Sequence, residues 1–456
     1  MKNLICGYNV SRNYFFYFSV ILSLFFLISL PTYGQTPVDT NLLAEINKIQ
    51  AIDNHAHPLC VVGKDQEDSE SDVLPLDGLK SLSLPIRLNP GNPEYLGAWR
   101  SIYGYAHQDA SEAHQQEFLA LKFRLIAEKG DNYPSWVLQQ IGIETMLSNR
   151  IAMGRGLTTP NFRWVSFVDP LLFPLNNNMA RKENPDYDYF YPYEEKALKR
   201  YLSELKLSAL PKDFDSYLKK VVTATLEQHK RNGAVAFKFE VALLRSLRFS
   251  DVPKAEAKQV YEKYIQGSLV DAASYKLLQD YIFYYIASEA GRLQIPVHMH
   301  IIAGPGGYYK IAESNPLNLE PVFNNPRLKN TNFVIIHGGW PFTKETGLLI
   351  QGKSNVYADC SAQTFLLYPK ALSEILRNWL ELAPDKVLFG TDSFAISPFN
   401  SWEENCWLTT TTARQALALA LTGMINDGEI NKEQALDLAK MFLRNNAIAL
   451  YGFNSK

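Results

Sequence analysis

Short apolar segments rich in β-branched and aromatic residues alternate with amphipathic helical stretches along most of this 456-residue chain. Strands that alternate with helices indicate parallel βαβ units. Eight such segments predict an α/β fold, a (β/α)8 TIM-like barrel. An open, doubly wound sheet is the alternative, although no glycine-rich phosphate loop follows the first strand. The predicted strands are Gln50–His55, Gly142–Leu147, Phe162–Val168, Ala234–Phe239, Ile295–Ile301, Phe333–His337, Asn355–Cys360 and Lys386–Thr391.

Two intervals between the predicted strands are too long for simple connections. Residues 58–141 contain an acidic stretch and a helical pattern near Ser111–Lys129, and residues 170–232 contain a polar stretch followed by further helical patterns. Insertions after the first and third strands of a barrel would rise over its C-terminal face, where active sites lie. We therefore predict helical cap insertions that shape a pocket. Plain helical decoration is the alternative.

The N-terminus has the pattern of an export signal. Basic residues precede the apolar run Tyr14–Leu30, and small residues suit cleavage after Gly34. We predict a signal peptide over residues 1–34 and a barrel over residues 35–456, exported to a bacterial periplasm. An uncleaved membrane anchor is the alternative, because the apolar run is just short of a comfortable membrane span.

The charge balance argues against nucleic acid as a partner. The formal net charge is −2 at pH 7 and the chain has no long basic run, whereas binding a phosphate backbone requires a basic face. We expect a small-molecule substrate, and no membrane contact beyond the signal segment.

Imidazoles and carboxylates collect at the C-terminal ends of the predicted strands. His55 and His57 end the first strand, and the alternation of an extended chain places them with Asp53 on one face. Two neutral imidazoles on one face can bind a single divalent ion. The other polar strand ends are Lys238-Phe239-Glu240, His298-Met299-His300, His337-Gly338-Gly339 and Gly390-Thr391-Asp392.

These motifs, in this order, resemble the amidohydrolase superfamily. The resemblance is to its amidohydrolase-related (amidohydrolase 2) branch, which includes the hydrolase-like domains fused to glutamine synthetase-like proteins. It runs from about Leu42 to the C-terminus, and the closing Asn446-x-x-x-Leu450-Tyr451-Gly452 supports it.

The resemblance implies a divalent metal ion at the mouth of the barrel. Its ligands would be His55, His57, His300 and Asp392, with His298, one strand step deeper, as the alternative ligand from the fifth strand. Three imidazoles and a carboxylate suit zinc, and manganese or iron also fit. We expect one ion and leave a second open.

The resemblance also implies catalytic side chains. Asp392 would act as general base and then as general acid. His337 would stabilise the developing oxyanion, or hold a second metal as in binuclear relatives. Lys238 is expected to be unmodified and to contact substrate, and a carboxylated, metal-bridging Lys238 is the alternative.

Arg245, His298 and Trp340 complete the predicted substrate site. Arg245 could hold a substrate carboxylate in a two-pronged grip, or brace a loop through an ion pair. Trp340 could line the pocket or cap the barrel.

We therefore predict an exported, metal-dependent hydrolase that uses activated water to cleave a C–N, amide-type bond of a small substrate. A substrate that bears a carboxylate is left open. A decarboxylase or a lactone hydrolase on the same barrel is the first alternative. A catalytically silent binding protein is the second. Relatives often form oligomers, so a homo-oligomer is left open.

Overall fold

All eight predicted strands are present and pair in chain order, each parallel to the next. The computed structural model describes residues 38–63, 66–72, 85–89, 91–304, 306 and 309–453; the predicted signal peptide lies outside them. The strands are β1 Ala51–Ala56, β2 Ile143–Arg150, β3 Phe162–Phe167, β4 Ala234–Phe239, β5 Val297–His300, β6 Phe333–Ile336, β7 Val356–Asp359 and β8 Val387–Leu388.

Backbone hydrogen bonds between β1 and the segment after β8 bring the two edge strands together. The Asn54 amide donates to the Phe389 carbonyl at 2.8 Å, and the Asp392 amide donates to the His55 carbonyl at 2.7 Å. A sheet that runs in chain order and meets its own first strand is a barrel, because a doubly wound sheet reverses its strand order. The predicted (β/α)8 barrel is therefore confirmed.

The eighth strand is shorter than predicted. Pairing with β7 ends at Asp359 and Leu388. Beyond that point the chain pairs with β1, the Phe389 amide donates to the Phe442 carbonyl, and Asp392 adopts a positive φ of 56°. The predicted strand Lys386–Thr391 thus extends past the ladder, because Val387 to Thr391 are all buried.

Helices cover the outside of the strands. The α-helices are α1 Thr40–Lys48, α2 Tyr95–Tyr103, α3 Glu112–Lys129, α4 Tyr133–Ile141, α5 Asn178–Glu183, α6 Phe190–Glu204, α7 Phe214–Tyr217, α8 Ala224–Arg231, α9 Lys254–Ile265, α10 Ala272–Leu293, α11 Glu320–Phe323, α12 Thr343–Gly352, α13 Gln363–Leu366, α14 Pro369–Leu382, α15 Trp402–Asn426, α16 Lys432–Lys440 and α17 Asn446–Tyr451. The π-helical segments Leu218–Thr223 and Met441–Asn445 join α7 to α8 and α16 to α17. None of the described helices combines the length and apolar content needed to cross a bilayer.

Apolar side chains fill the interior of the barrel in a small cluster separate from the larger core between strands and helices. A filled interior leaves the C-terminal strand ends as the place where polar groups can meet. The buried members of the interior cluster are Ile52, Leu147, Val165, Ala236, Val334, Ile336, Leu388 and Ala447.

The two long insertions are helical. Helices α2 to α4 lie between β1 and β2, and α5 to α8 lie between β3 and β4. The first insertion is fixed to α15 by a buried lysine: Lys122 Nζ lies 2.9 Å from Glu404 Oε1 and 3.3 Å from Glu403 Oε2. Glu404 also forms the capping box of α15 with Ser401.

Replacing this lysine should destabilise the protein strongly. Lys122→Met leaves two buried carboxylates without their cation, and breaking a buried ion pair from one side costs about 3–5 kcal/mol. We expect the free energy of unfolding in urea to fall by that amount. Arg124→Met, on an exposed position of the same helix, is the control and should change it by less than about 0.5 kcal/mol. Equal effects of the two variants would contradict the prediction.

Candidate metal centre at the barrel mouth

Three of the predicted ligands meet at the C-terminal end of the barrel. Asp392 Oδ1 lies 3.1 Å from His55 Nε2 and 3.5 Å from His57 Nε2. The three donor atoms all lie within 4.8 Å of one another, close enough to share one ion. Burial differs within the group, because the His55 side chain is fully buried whereas those of His57 and Asp392 are 12% and 15% exposed.

The fourth predicted ligand, His300, stands beside this group rather than within it. His300 Nδ1 lies 3.2 Å from His337 Nε2, and His337 Nδ1 lies 3.7 Å from Asp392 Oδ2. His300 Nε2 is buried and has no hydrogen-bond partner. An imidazole nitrogen left unpaired in a buried polar site is an observation that a metal ion would explain.

His298 has a different environment from His300. Its Nε2 lies 2.6 Å from the Tyr451 hydroxyl, which also donates to Asn54 Oδ1. Tyr451 belongs to the closing helix α17, so His298 is held inside the barrel by a structural hydrogen bond. Each fifth-strand histidine keeps one ring nitrogen without a hydrogen-bond partner, Nδ1 of His298 and Nε2 of His300. We favour His300 as the ligand because it contacts His337, which lies next to Asp392.

Lys238 lies within the polar group itself. Its Nζ is 3.3 Å from His55 Nε2 and 3.7 Å from Glu240 Oε1, and its side chain is fully buried. An ammonium at this distance competes with a metal ion for the His55 lone pair. In the metal-bound protein we therefore expect Lys238 to turn toward Glu240.

The charge state of the imidazoles suits metal binding. Burial, with the nearby Lys238 ammonium, lowers the pKa of His55 and of His300 well below the usual range. Burial and His300 do the same to the pKa of His337. Although burial opposes protonation of His57, the carboxylates of Asp72 and Asp392 raise its pKa to about 10. A bound cation would displace that proton, since metal ligands must be deprotonated.

Strict alternation along β1 does not hold, because a bulge interrupts it. The register against β2 passes from Asp53↔Met146 to Ala56↔Ser148, three residues against two. Asp53, predicted on the face of the two histidines, accepts hydrogen bonds from the Thr391 amide and hydroxyl at 2.9 and 2.6 Å. It therefore fixes the backbone before Asp392.

Asn149, on β2, contacts Nδ1 of the His55 ring. No sequence motif indicated this residue. Its amide group lies 2.7 Å from His55 Nδ1, and Asn149 Oδ1 has no partner. For Nε2 to bind a cation, Nδ1 must carry the proton, and a rotated Asn149 amide would accept it through Oδ1.

Asp359 and Ser361, which follow β7, hold His337 in place. Asp359 Oδ1 accepts from the His337 amide at 2.8 Å, and Ser361 Oγ lies 3.0 Å from His337 Nδ1. These contacts give Asp359 a structural role.

The two predicted catalytic residues share a strained backbone. His337 and Asp392 have positive φ angles of 67° and 56°, which non-glycine residues rarely adopt. Gly338, after His337, also has a positive φ of 56°, and a Cβ there would lie 2.2 Å from Trp379. Strain of this kind concentrates at functional sites, where the surrounding structure enforces it.

Two predicted substrate residues, Arg245 and Trp340, make their described hydrogen bonds with groups other than the imidazole rings. Arg245 Nη2 pairs with Asp280 Oδ1 at 2.6 Å and Nη1 donates to Gln279 at 3.0 Å, which is the loop-bracing alternative. It lines a separate cavity of about 680 Å³ beyond β4. Trp340 makes its hydrogen bonds through its backbone: the amide donates to the His337 carbonyl at 3.2 Å, and the carbonyl accepts from the Ala303 amide at 2.9 Å.

A second group with metal-ligand spacing lies in the first insertion, away from the strand ends. It consists of His107, His114 and Glu117, and its two imidazole rings stack at 3.7 Å. Each ring already pairs with a carboxylate at 2.7 Å, His107 with Glu117 and His114 with Asp109. Its place on the surface separates it from the barrel mouth.

The barrel and its polar mouth are matched by known proteins. Residues 239–453 match the family model described as Amidohydrolase. That segment contains Glu240 and the strand ends that supply His300, His337 and Asp392. By this match the C-terminal part of the chain resembles the amidohydrolase family.

The chain is also similar in sequence to a curated protein and in fold to solved structures. The chain is 28% identical over 162 residues to protein fluG of Emericella nidulans, and this match covers 35% of the chain and 18% of that protein. The fold resembles glucuronate isomerase from Caulobacter crescentus, with a TM-score of 0.61, 13% identity, and coverage of 91% of this chain and 94% of that one. It also resembles a Lactobacillus casei structure described as a metal-dependent hydrolase, with a TM-score of 0.57, 16% identity, and 90% and 97% coverage.

Proposed function

We propose that this protein is an amidohydrolase, a metal-dependent hydrolase that cleaves an amide-type C–N bond of a small substrate. The meeting of His55, His57 and Asp392 within one ion's reach carries the proposal. The unpaired Nε2 of His300 supports it as the further ligand. When bound, a divalent cation, zinc by preference, supplies Lewis acidity that activates water near neutral pH.

Three residues at the barrel mouth have separate roles in the proposed reaction. Asp392 accepts a proton as water attacks the carbonyl carbon and passes it to the leaving nitrogen as the C–N bond breaks. His337, held by Ser361 and Asp359, stabilises the negative charge that develops on the carbonyl oxygen. Lys238, paired with Glu240, contributes a positive charge beside the same oxygen.

Metal removal and restoration tests the proposal. Protein purified without chelators should contain about one equivalent of transition metal. Stripping it should abolish release of ammonia or amine from a panel of small amides, and Zn²⁺ should restore it. Release of CO₂ from carboxylated substrates instead would assign a decarboxylase. Less than half an equivalent of metal, with no turnover, would favour a binding protein.

We further propose that residues 1–34 are a signal peptide and that the enzyme is exported. Cleavage after Gly34 would make Gln35 the first residue of the mature chain. Mass spectrometry of protein isolated from the periplasm of an expressing bacterium should find this N-terminus. Full-length chains retained in the membrane fraction would support the anchored alternative.

A further inference from the structure

Four carboxylates beside the barrel mouth are near enough to influence one another's charge, and we call them the acidic cluster. They are Asp72 from the first insertion, Asp169 after β3, Glu194 on α6 and Glu240 after β4. The cluster adjoins the metal centre at two points. Asp72 Oδ2 lies 2.7 Å from His57 Nδ1, and Glu240 Oε1 lies 3.7 Å from Lys238 Nζ.

Glu194 is the member that indicates a ligand. It is 1% exposed, and neither carboxylate oxygen has a hydrogen-bond partner. Glu240 is 5% exposed and its Oε2 likewise has none. A buried carboxylate without a partner is costly. Glu194 therefore needs a partner for both of its oxygens, and Glu240 needs one for the oxygen that does not face Lys238.

The four groups are close enough to affect one another's ionisation. Burial, then the charges of Asp169, Glu240 and Asp72, raise the pKa of Glu194 well above its ordinary range. Burial and Asp72 raise the pKa of Glu240 to about 8, although Lys238 opposes this. A cation placed among them would remove this mutual repulsion.

The spacing of the acidic cluster suits an organic cation better than a metal ion. Ligand oxygens around one Ca²⁺ or Mg²⁺ lie about 2–2.6 Å from the ion, and therefore close to one another. Among the described residues, the groups of three donors within 4.8 Å of one another do not include these carboxylates. An ammonium or guanidinium carries several N–H donors and can span wider gaps.

The position of the cluster provides access for such a group. Asp72, at 22% side-chain exposure, shares the partly exposed rim with His57 and Asp392. By contrast, Arg245, the residue that would have bound a substrate carboxylate, is occupied by Asp280. The charge beside the reacting bond therefore favours a cationic rather than an anionic substrate.

We propose that the acidic cluster binds a positively charged nitrogen group of the substrate, an ammonium or guanidinium, beside the scissile bond. The substrate class is thus an amide that also bears a basic group. This inference rests on the proposed hydrolase function for its role in catalysis, but the binding itself can be measured without turnover.

The experiments use the metal-loaded protein and two pairs of compounds, each with one charged and one uncharged member. The first pair tests binding and the second tests hydrolysis. In the first, n-butylammonium chloride is compared with 1-butanol at constant ionic strength by calorimetric titration. The wild type should bind the ammonium and not the alcohol. Glu194→Gln, an isosteric change, should weaken ammonium binding about 30-fold, since losing one partner of a buried charge contact costs 2 kcal/mol or more.

The control is Glu195→Gln, the same change at the next position of α6, where the side chain accepts from Asn177 at 3.2 Å. It should bind n-butylammonium like the wild type. Equal binding by Glu194→Gln, equal binding of 1-butanol, or displacement of the ammonium by stoichiometric Mg²⁺ would each overturn the proposal. The wild-type comparison keeps the test valid should Glu194→Gln fail to fold.

The second pair, glycinamide and glycolamide, separates this inference from the hydrolase function. Preferential hydrolysis of glycinamide, lost in Glu194→Gln and kept in Glu195→Gln, would support both. Equal hydrolysis of the two amides would overturn the cationic subsite alone. Glu194-dependent ammonium binding with no hydrolysis of either amide would uphold the subsite and contradict the hydrolase function.

Discussion

Asp392→Asn should lower kcat by about 10³-fold, within the range usual for removing a proton-transferring group. The asparagine side chain has the shape of the carboxylate, so the fold should persist. The hydrogen bond from the backbone N–H of residue 392 to the His55 carbonyl should persist too. What is lost is the acceptor that takes a proton from water and returns it to the leaving nitrogen. Steady-state kinetics on the metal-loaded variant would measure the loss, with circular dichroism and metal content checking the fold and the site.

The matched control is Asp385→Asn, which removes one carboxylate at an exposed position just before β8. It should leave kcat near the wild-type value. Near-normal turnover by Asp392→Asn, with its metal in place, would exclude this aspartate as the proton carrier.

His300→Gln should weaken Zn²⁺ binding by at least about 100-fold, the upper end of what loss of a supporting contact alone costs. The unpaired Nε2 of His300 and its contact with His337 at 3.2 Å make it the favoured fifth-strand donor. His298→Gln is the paired variant, because glutamine can still reach the Tyr451 hydroxyl that His298 contacts at 2.6 Å. We expect it to bind Zn²⁺ almost as tightly as the wild type.

Competition with a chromophoric chelator would give both affinities on the same scale. If His298→Gln loses Zn²⁺ affinity and His300→Gln keeps it, the ligand is His298, one strand step deeper in the barrel. If both variants keep the wild-type affinity for Zn²⁺, the ion is bound by His55, His57 and Asp392 without a fifth-strand histidine. Thermal unfolding of each variant would show whether a loss of metal reflects the site or the fold.

The barrel and the main site were predictable from the sequence because both follow from local patterns. Apolar segments such as Phe333–Ile336 and Val356–Asp359 have the length and composition of buried parallel strands. In a parallel barrel every strand ends at the same face, so polar residues that follow the strands must meet there. His55 and His57 are far from Asp392 in the sequence. The three side chains meet because their strands end at the same face of the barrel.

The sequence did not determine which partners the remaining polar groups would find. The bulge in β1 turned Asp53 toward Thr391, and Arg245 found Asp280 on a helix more than thirty residues away. The acidic cluster combines two insertions with two strand ends, and Glu194 is one glutamate among several on its helix. Periodicity encodes strands, helices and the face to which they point, since these depend on neighbouring residues. Which side chains meet across the barrel mouth depends on how separate segments pack, and only the tertiary structure decides it.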